Sequence, residues 1–177
     1  MKTMACALTI VLAGGTLAVL RAQHPAMPSG MTHEAHLAQI ARDNELKKRG
    51  AAAMEFDQET TAHHFRLTST GGWIEVVTKE PADVATRDQI RAHLREIAAD
   101  FARGNFAKPF ETHGEIPPGV ATMQARNDTL AFTYEALRDG GIVRIATTDA
   151  TTRNAVHDFL RYQIREHATG DPETITR

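Results

Sequence analysis

Histidine is the residue type in this sequence with the clearest chemical potential. Nine of the 177 residues are histidines, whereas cysteine occurs once, as Cys6. Imidazole is the commonest side-chain ligand for metals such as zinc and copper, and thioether sulfur selects Cu(I). A histidine-rich chain with so little thiol therefore indicates metal binding through nitrogen, with copper or zinc as the ion.

Two groups of candidate ligands can be distinguished. A rigid site is predicted within the folded part of the chain, from His63, His64, His93, His113, His157 and His167. A weaker, flexible site is predicted near the N-terminus, from His24, Met27, Met31, His33 and His36. A polar segment that binds nothing is an equally good interpretation of that second group. The carboxylates that would complete a tetrahedral zinc site with an open position are Asp57, Glu59 and Asp88.

The adjacent pair His63-His64 is the strongest local signal for the rigid site. Because neighbouring residues of a strand point to opposite faces, one ion is not expected to bind both while the strand stays regular. The zinc-protease motif His-Glu-x-x-His is not formed, since His33 and His36 have the wrong separation. The sequence therefore leaves open which histidines share an ion.

Other catalytic motifs are missing from the sequence. Neither of its two serines, Ser29 and Ser69, lies in a Gly-x-Ser-x-Gly turn, and its glycine pairs are not phosphate-binding loops. Covalent catalysis and a nucleotide cofactor are therefore not predicted. Acid–base catalysis by a histidine and a carboxylate, as in a small hydrolase or lyase, is an alternative, because such sites assemble in space and leave little trace in a sequence.

Composition and charge favour a single globular domain without a nucleic-acid partner. The chain is 42% hydrophobic and 24% charged, and its 20 basic and 22 acidic residues give a formal net charge of −2. Neither sign of charge forms a long block, which argues against a nucleic-acid surface.

The first residues have the pattern of a secretory signal peptide. Lys2 precedes an apolar run over residues 5–20, and the small residue Ala22 follows as a cleavage point. Residues 1–22 are therefore assigned to the signal and cleavage is expected, with an uncleaved N-terminal anchor as the alternative. Cleavage would remove Cys6, leave no stable membrane span, and place the protein in the periplasm or outside the cell.

Hydrophobic periodicity and turn residues predict two similar ββα segments. The first has strands at 63–68 and 73–78 and a helix at 85–103, and the second has strands at 130–136 and 142–147 and a helix at 151–167. Before them, residues 23–31 are predicted to be a flexible lead-in to a helix over residues 32–49 that ends at Gly50. The connection over residues 106–128 is predicted to be a long loop with one helical turn near residues 120–125.

A ββα-ββα duplication predicts an α+β fold, with a four-stranded antiparallel sheet, two helices on one face of it and the additional N-terminal helix. The single domain is expected to span residues 32–177, with repeat one at 63–105 and repeat two at 130–171. Strand alternation predicts which side chains face the helices, namely Phe65, Leu67, Ile74, Val76, Phe132, Tyr134, Val143 and Ile145.

When the sequences of the two predicted helices are aligned, two histidines occupy positions equivalent to aromatic residues. His93 takes the position of Phe159, and His167 takes the position of Phe101. Each repeat is therefore predicted to carry one histidine where the other repeat has a core aromatic, close to the layer between the sheet and the helices.

The opposite face of the sheet is a candidate interaction surface. Its predicted residues are His64, Arg66, Trp73, Glu75 and Val77. The N-terminal helix is expected to cover this face, because an amphipathic helix must bury its apolar side somewhere. If it packs elsewhere, the face would be free to meet a partner protein or a second copy of the chain.

Three segments resemble a family of small exported uncharacterised bacterial proteins. They are KRGAAAMEFDQ at residues 48–58, TAHHF at residues 61–65 and HDFLRYQIREH at residues 157–167. The resemblance covers most of the mature chain. It implies export and a single compact domain, and it implies no particular reaction.

The leading hypothesis is an exported metal-binding protein that handles copper or zinc through histidines. The alternatives are a small acid–base enzyme and a non-catalytic interaction module, including a homo-oligomer formed through the open sheet face. The metal-binding hypothesis requires several imidazoles to converge in the fold. The acid–base enzyme requires a histidine beside a carboxylate in a pocket.

Overall fold

The computed structural model of this chain describes residues 30–54 and 56–175. The predicted signal peptide and most of the predicted lead-in, including His24 and Met27, lie outside the described residues. No helix in the described part of the chain is long and apolar enough to cross a membrane.

The described residues form nine regular elements besides two short 3₁₀ turns. In chain order these are α1 (His33–Met54), β1 (Thr61–Thr68), β2 (Gly71–Thr78), α2 (Val84–Ala102), α3 (Ala107–His113), α4 (Val120–Ala125), β3 (Ala131–Ala136), β4 (Gly140–Ala146) and α5 (Ala150–Glu166). The 3₁₀ turns are Gln58–Thr60 and Asn127–Thr129.

The four strands form one antiparallel sheet in the order β1-β2-β4-β3. Each hairpin therefore keeps its own two strands adjacent, and the hairpins join through β2 and β4. In the register His63 pairs with Val76, and Val76 pairs with Gly141 on the next strand. The predicted α+β fold with a four-stranded antiparallel sheet is confirmed.

Helix α2 follows the hairpin β1–β2 but packs mainly on the hairpin β3–β4. Helix α5 follows β3–β4 but packs mainly on β1–β2. Helix α2 contacts β3 and β4 more than β2, whereas α5 contacts β1 and β2. Each helix is capped by an aspartate, Asp83 or Asp149, whose side chain accepts the backbone N–H of the third helical residue. Such a cap satisfies an N–H that has no partner within the helix.

Strand alternation identified most of the core correctly. Phe65, Leu67, Ile74, Val76, Val143 and Ile145 are all buried in one apolar cluster with residues of α2 and α5. Phe132 and Tyr134 are only half-buried, because β3 is an edge strand and no described strand pairs with it on its outer side.

Gly50 does not end the first helix, and that prediction was wrong. Helix α1 continues through Gly50 to Met54. A Cβ at Gly50 would lie only 2.0 Å from Nε2 of Gln58, so the missing side chain leaves room for the 3₁₀ turn that packs here. A glycine stops a helix when it adopts the left-handed conformation, and Gly50 is not among the glycines with positive φ.

The connection between α2 and β3 is more helical than predicted. Helix α4 lies where one helical turn was expected, but the preceding helix α3 was missed. Helix α3 ends at Gly114, which has a φ of 74° and so adopts the left-handed conformation that glycine tolerates best.

Helix α1 packs against α3 instead of the open sheet face. The expectation that this helix would cover the sheet was therefore wrong. Arg49 accounts for part of the difference, because its guanidinium donates to the carbonyl oxygens of Thr112 and His113, each at 3.2 Å. The residues of the open face are all only half-buried: His64, Arg66, Trp73, Glu75 and Val77.

Gly119 is a position where adding a single methyl group is expected to disturb the fold. Its φ is 83°, and a Cβ would lie 2.0 Å from the carbonyl oxygen of Ala155 in α5. We expect Gly119→Ala to lower the free energy of unfolding by about 3 kcal/mol, because a left-handed non-glycine residue costs about 1–2 kcal/mol and overpacking about 1–3 kcal/mol more. Urea denaturation measures the loss.

Gly170→Ala is the matched control. Gly170 has a φ of 73°, and no other atom lies within 4 Å of the point that its Cβ would occupy. Only the backbone cost of about 1–2 kcal/mol therefore applies. Equal losses for the two variants would show that the contact between Gly119 and Ala155 does not restrict this position.

Candidate metal-binding site

Four of the predicted histidines meet at one cavity between the sheet and the helices. The cavity has a volume of about 70 Å³. Its histidines are His63, His93, His113 and His167. The other lining residues are Met54, Phe65, Ile74, Val76, Leu94, Ile97, Phe101, Lys108, Pro109, Thr112, Phe159 and Gln163.

His167 contacts two of the other imidazoles. Its ring stacks on His63 with a centroid distance of 5.4 Å and an interplanar angle of 11°, and its edge meets His113 with a centroid distance of 5.2 Å. His93 is joined to the group through Phe56, whose ring lies 5.6 Å from His93 and 6.1 Å from His63. His63, His113 and His167 are called the imidazole cluster below.

Three different elements position the imidazole cluster. His63 lies on β1 and faces the helices, as its shared parity with Phe65 predicted. His167 is the C-terminal cap of α5, and His113 is the last residue of α3. Because α3 is held by Arg49 of α1, the helix that was expected on the open face instead helps to build this site.

Two ring nitrogens of the cluster are buried without a hydrogen-bond partner. They are Nε2 of His63 and Nδ1 of His113. Nε2 of His113 donates to Oε1 of Gln163 at 2.9 Å, so Nδ1 of this ring carries the lone pair. Buried polar atoms without partners are rare in proteins, and an absent water or ion is a common reason for them.

Burial keeps these imidazoles neutral. It lowers the pKa of His63 to about 4, with smaller contributions from His93, His64 and Lys79. It also lowers the pKa of His167 to about 3, and His63 and His113 reinforce that shift. For His93 burial is again the main cause of a pKa of about 4, and for His113 burial lowers the pKa. Neutral imidazole is the form that binds metals.

The stacked pair His63 and His167 also borders a second, outer pocket. This pocket has a volume of about 370 Å³ and a polar wall that includes His64, Lys79 and Thr169. The pair thus separates an apolar inner cavity from a more polar outer pocket. His167 additionally lines a third pocket at the end of α5.

His64 faces the other way and pairs with a carboxylate. Its Nδ1 donates to Oδ1 of Asp171 at 3.3 Å, while Oδ2 of Asp171 accepts the backbone N–H of Phe65 at 2.9 Å. The Asp171 side chain is 5% exposed and the His64 side chain 41% exposed. A buried carboxylate that orients a solvent-facing imidazole is the arrangement that the acid–base alternative requires, and that alternative stays a prediction.

His157 is occupied by the fold. Its Nε2 donates to the carbonyl oxygens of Thr68 and Gly71, at 2.9 and 3.0 Å. These two residues flank the turn between β1 and β2, so the ring ties α5 to this hairpin. Nε2 of His157 is therefore not available as a ligand while these bonds are kept.

The described residues of the predicted N-terminal site lie at or near the start of α1. His33 is exposed, Met31 and His36 are half-buried, and Nε2 of His36 has no hydrogen-bond partner. The remaining two members of that site, His24 and Met27, are outside the described residues.

The three carboxylates predicted as ligands do not line the inner cavity. Asp57 accepts the backbone N–H of Glu59 at 2.8 Å and so caps a 3₁₀ turn, and Asp88 pairs with Arg87 at 2.9 Å. Glu59 lies at the outer pocket. Within residues 30–54 and 56–175, no three side chains of histidine, cysteine, aspartate or glutamate already stand close enough to hold one ion.

Sequence reasoning missed several residues of the site, among them Met54, Phe56, Gln163 and Asp171. Gln163 had a usable signal, because it precedes His167 by one helical turn and so shares its helix face. The other three had none, since Met54 and Phe56 follow an apparent helix stop and Asp171 lies in the C-terminal segment beyond α5.

Comparison with protein-family models, with curated proteins and with solved structures gave no match to this chain.

Proposed function

We propose that this chain binds a copper or zinc ion through the imidazole cluster His63, His113 and His167. The observation that carries the proposal is the pair of buried ring nitrogens without partners, on two rings that both contact His167. Each of them offers a lone pair or an N–H to the cavity and to no described protein group. A bound ion would satisfy these atoms where they carry the lone pair, as Nδ1 of His113 does.

The lowered pKa values support the same proposal. A metal must displace the proton from a protonated imidazole, and at pH 7 an imidazole with the ordinary pKa of about 6.5 is about one-quarter protonated. With pKa values of about 4 for His63 and about 3 for His167, these rings hold almost no protons at pH 7. Binding to them at that pH therefore requires almost no release of protons.

Binding requires the rings to turn. Nitrogens that share a tetrahedral ion lie within about 4 Å of one another, because each bond is about 2.0–2.1 Å long. The rings now stack and meet edge-on at centroid distances of 5.4 and 5.2 Å. His167 can supply the movement, since it borders the outer pocket as well as the cavity.

The test is titration of copper and zinc into the metal-free full chain at pH 7. We expect near-stoichiometric binding at about 1 μM or tighter. His63→Gln is expected to weaken it at least about 10-fold, because the change removes a ligand nitrogen from the cavity. Isothermal titration calorimetry, with folding of each variant checked by circular dichroism, measures both effects.

His33→Gln is the matched control, because His33 is exposed at the start of α1 and far along the chain from the cluster. It should bind metal as the unaltered chain does. Wild-type binding weaker than millimolar would overturn the proposal. So would a loss of binding in His33→Gln without a loss in His63→Gln, which would instead assign binding to the N-terminal group.

We also infer an exported protein with a duplicated ββα unit. The pattern of residues 1–22 supports export. The reciprocal packing of α2 and α5 supports duplication, as does the placement of the four residues that the helix alignment pairs. His93, Phe159, Phe101 and His167 all line the same cavity, so the two repeats contribute equivalent positions to one site.

A further inference from the structure

We propose that the ion taken at this cavity is Cu(I), and that the thioether of Met54 binds it beside the imidazoles. This inference rests on the proposed function and narrows it to one ion and one oxidation state. Three features of the cavity argue for it: a soft donor, a wall without anions, and donors that are all neutral.

Met54 supplies the soft donor. It is the last residue of α1, it is buried, and it lines the same cavity as His63, His113 and His167. Its place depends on the continuation of α1 through Gly50, which carries the chain one turn further toward the cavity. Thioether sulfur is a poor ligand for zinc and a good one for Cu(I), so a wall of imidazoles with one methionine discriminates between them.

The charge of the wall also favours a monovalent ion. Among the described residues no aspartate or glutamate lines the cavity, and the one lysine there, Lys108, is cationic. Lys108 is paired at 3.2 Å with Glu96, an exposed carboxylate outside the cavity wall. The cost of moving an ion from water into an apolar medium rises with the square of its charge, so it is about four times larger for a dication than for a monocation.

Neutral donors cannot offset that difference. An imidazole binds a metal as the neutral ring, and a thioether has no charge to give. A zinc ion here would keep both of its charges uncompensated, whereas zinc sites with three protein ligands often include a carboxylate or thiolate. Cu(I) accepts soft neutral donors, and it therefore suits the donors that the cavity offers.

The experiment compares Cu(I) and Zn(II) on the full chain and on two methionine variants. Cu(I) affinity is measured without oxygen, with ascorbate as reductant and bicinchoninate as competitor, and Zn(II) affinity is measured against a chromophoric chelator. Met54→Leu removes the thioether at nearly constant volume. Met123→Leu is the matched control, since Met123 is fully buried in the core and is not part of the cavity wall.

We expect Cu(I) to bind the unaltered chain at least about 100-fold more tightly than Zn(II). Met54→Leu should weaken Cu(I) binding by about 10–100-fold and leave Zn(II) binding unchanged within about twofold, as expected for loss of one soft ligand. Met123→Leu should change neither affinity. X-ray absorption of the Cu(I) complex should show a sulfur neighbour that is lost in Met54→Leu.

The failures of the two proposals are distinguishable. Zinc binding as tight as Cu(I) binding, with His63→Gln weakening it, would overturn this inference and leave the proposed function standing. If Met54→Leu binds Cu(I) as tightly as the unaltered chain, Met54 is not a ligand and this inference is overturned. A chain that takes up neither ion would overturn both this inference and the function on which it rests.

Discussion

Lowering the pH of the metal-free protein from 7 to 5 is expected to reduce its free energy of unfolding by on the order of 5 kcal/mol. The effect arises from three imidazoles that the fold keeps unprotonated. Burial lowers the pKa of His63 and His93 to about 4 and that of His167 to about 3. Small domains are stable by only about 5–15 kcal/mol, so the change is large enough to unfold the chain.

The direction follows from which state binds more protons. In the unfolded chain a histidine titrates near its model value of 6.5, so between pH 6.5 and pH 4 it is protonated when unfolded and neutral when folded. Stability is therefore fully present above pH 6.5 and is lost as the pH falls toward the folded pKa values. Each of the three groups contributes about 2 kcal/mol of this loss at pH 5. The lowered pKa of Asp149, about 2, acts only in a more acid range.

Urea denaturation at several pH values, with a chelator present, measures this loss. The slope between pH 6 and pH 5 should correspond to the uptake of about two to three protons on unfolding. His33→Gln is the matched control, because His33 is exposed in α1 and does not line the cavity. Stability that stays constant from pH 7 to pH 5 would contradict the expected burial of the imidazoles.

His167→Phe is expected to make the protein more stable and to weaken the proposed metal binding. Phenylalanine has a similar size, and Phe101 is the residue that aligns with His167 when the two predicted ββα segments are laid together. The new ring would stay in contact with Phe65, which lies 5.5 Å from the His167 ring. At pH 5 the gain should be about 2 kcal/mol, because the variant no longer holds this imidazole unprotonated.

The same change should weaken metal binding at least about 100-fold, since His167 is the member of the cluster that contacts both others. Paired urea denaturation and calorimetric titration of one preparation measure both effects. A matched variant, His33→Phe, should alter neither. A His167→Phe chain that binds copper or zinc as tightly as the unaltered chain would exclude His167 as a ligand.

The opposed effects on stability and binding would identify the role of His167. If His167 served packing alone, its replacement by phenylalanine would lower the stability of the protein or leave it unchanged. A residue kept for binding is expected to lower stability in the empty protein. Its ligand then restores that stability, since a ligand that binds only the folded state stabilises it.

Local sequence pattern was sufficient for the sheet and its two long helices. The alternation of Phe65, Leu67, Ile74 and Val76 identified the buried face, because side chains of a strand alternate between faces. The same alternation placed His63 toward the helices. These are properties of neighbouring residues, and a sequence records them directly.

Local pattern failed where the outcome depended on distant parts of the chain. Gly50 was predicted to stop a helix, but in the structure it leaves room for the side chain of Gln58 to approach α1. Helix α1 was expected on the open sheet face, but Arg49 holds it to the carbonyl oxygens of α3. Both errors have one physical cause, since contacts made after folding overrode the local signal.

From the residues alone, histidine and not thiol was identified as the candidate ligand type, and the alignment of the two predicted ββα segments paired one histidine of each with a core aromatic of the other. Which rings meet depends on tertiary contacts. His63, His113 and His167 come from a strand, a short helix and a helix cap that are far apart in the chain, and they converge because α1 holds α3 in place and α5 packs over β1 and β2. The burial that neutralises them is likewise a property of the packed state, because an extended chain leaves every imidazole in water.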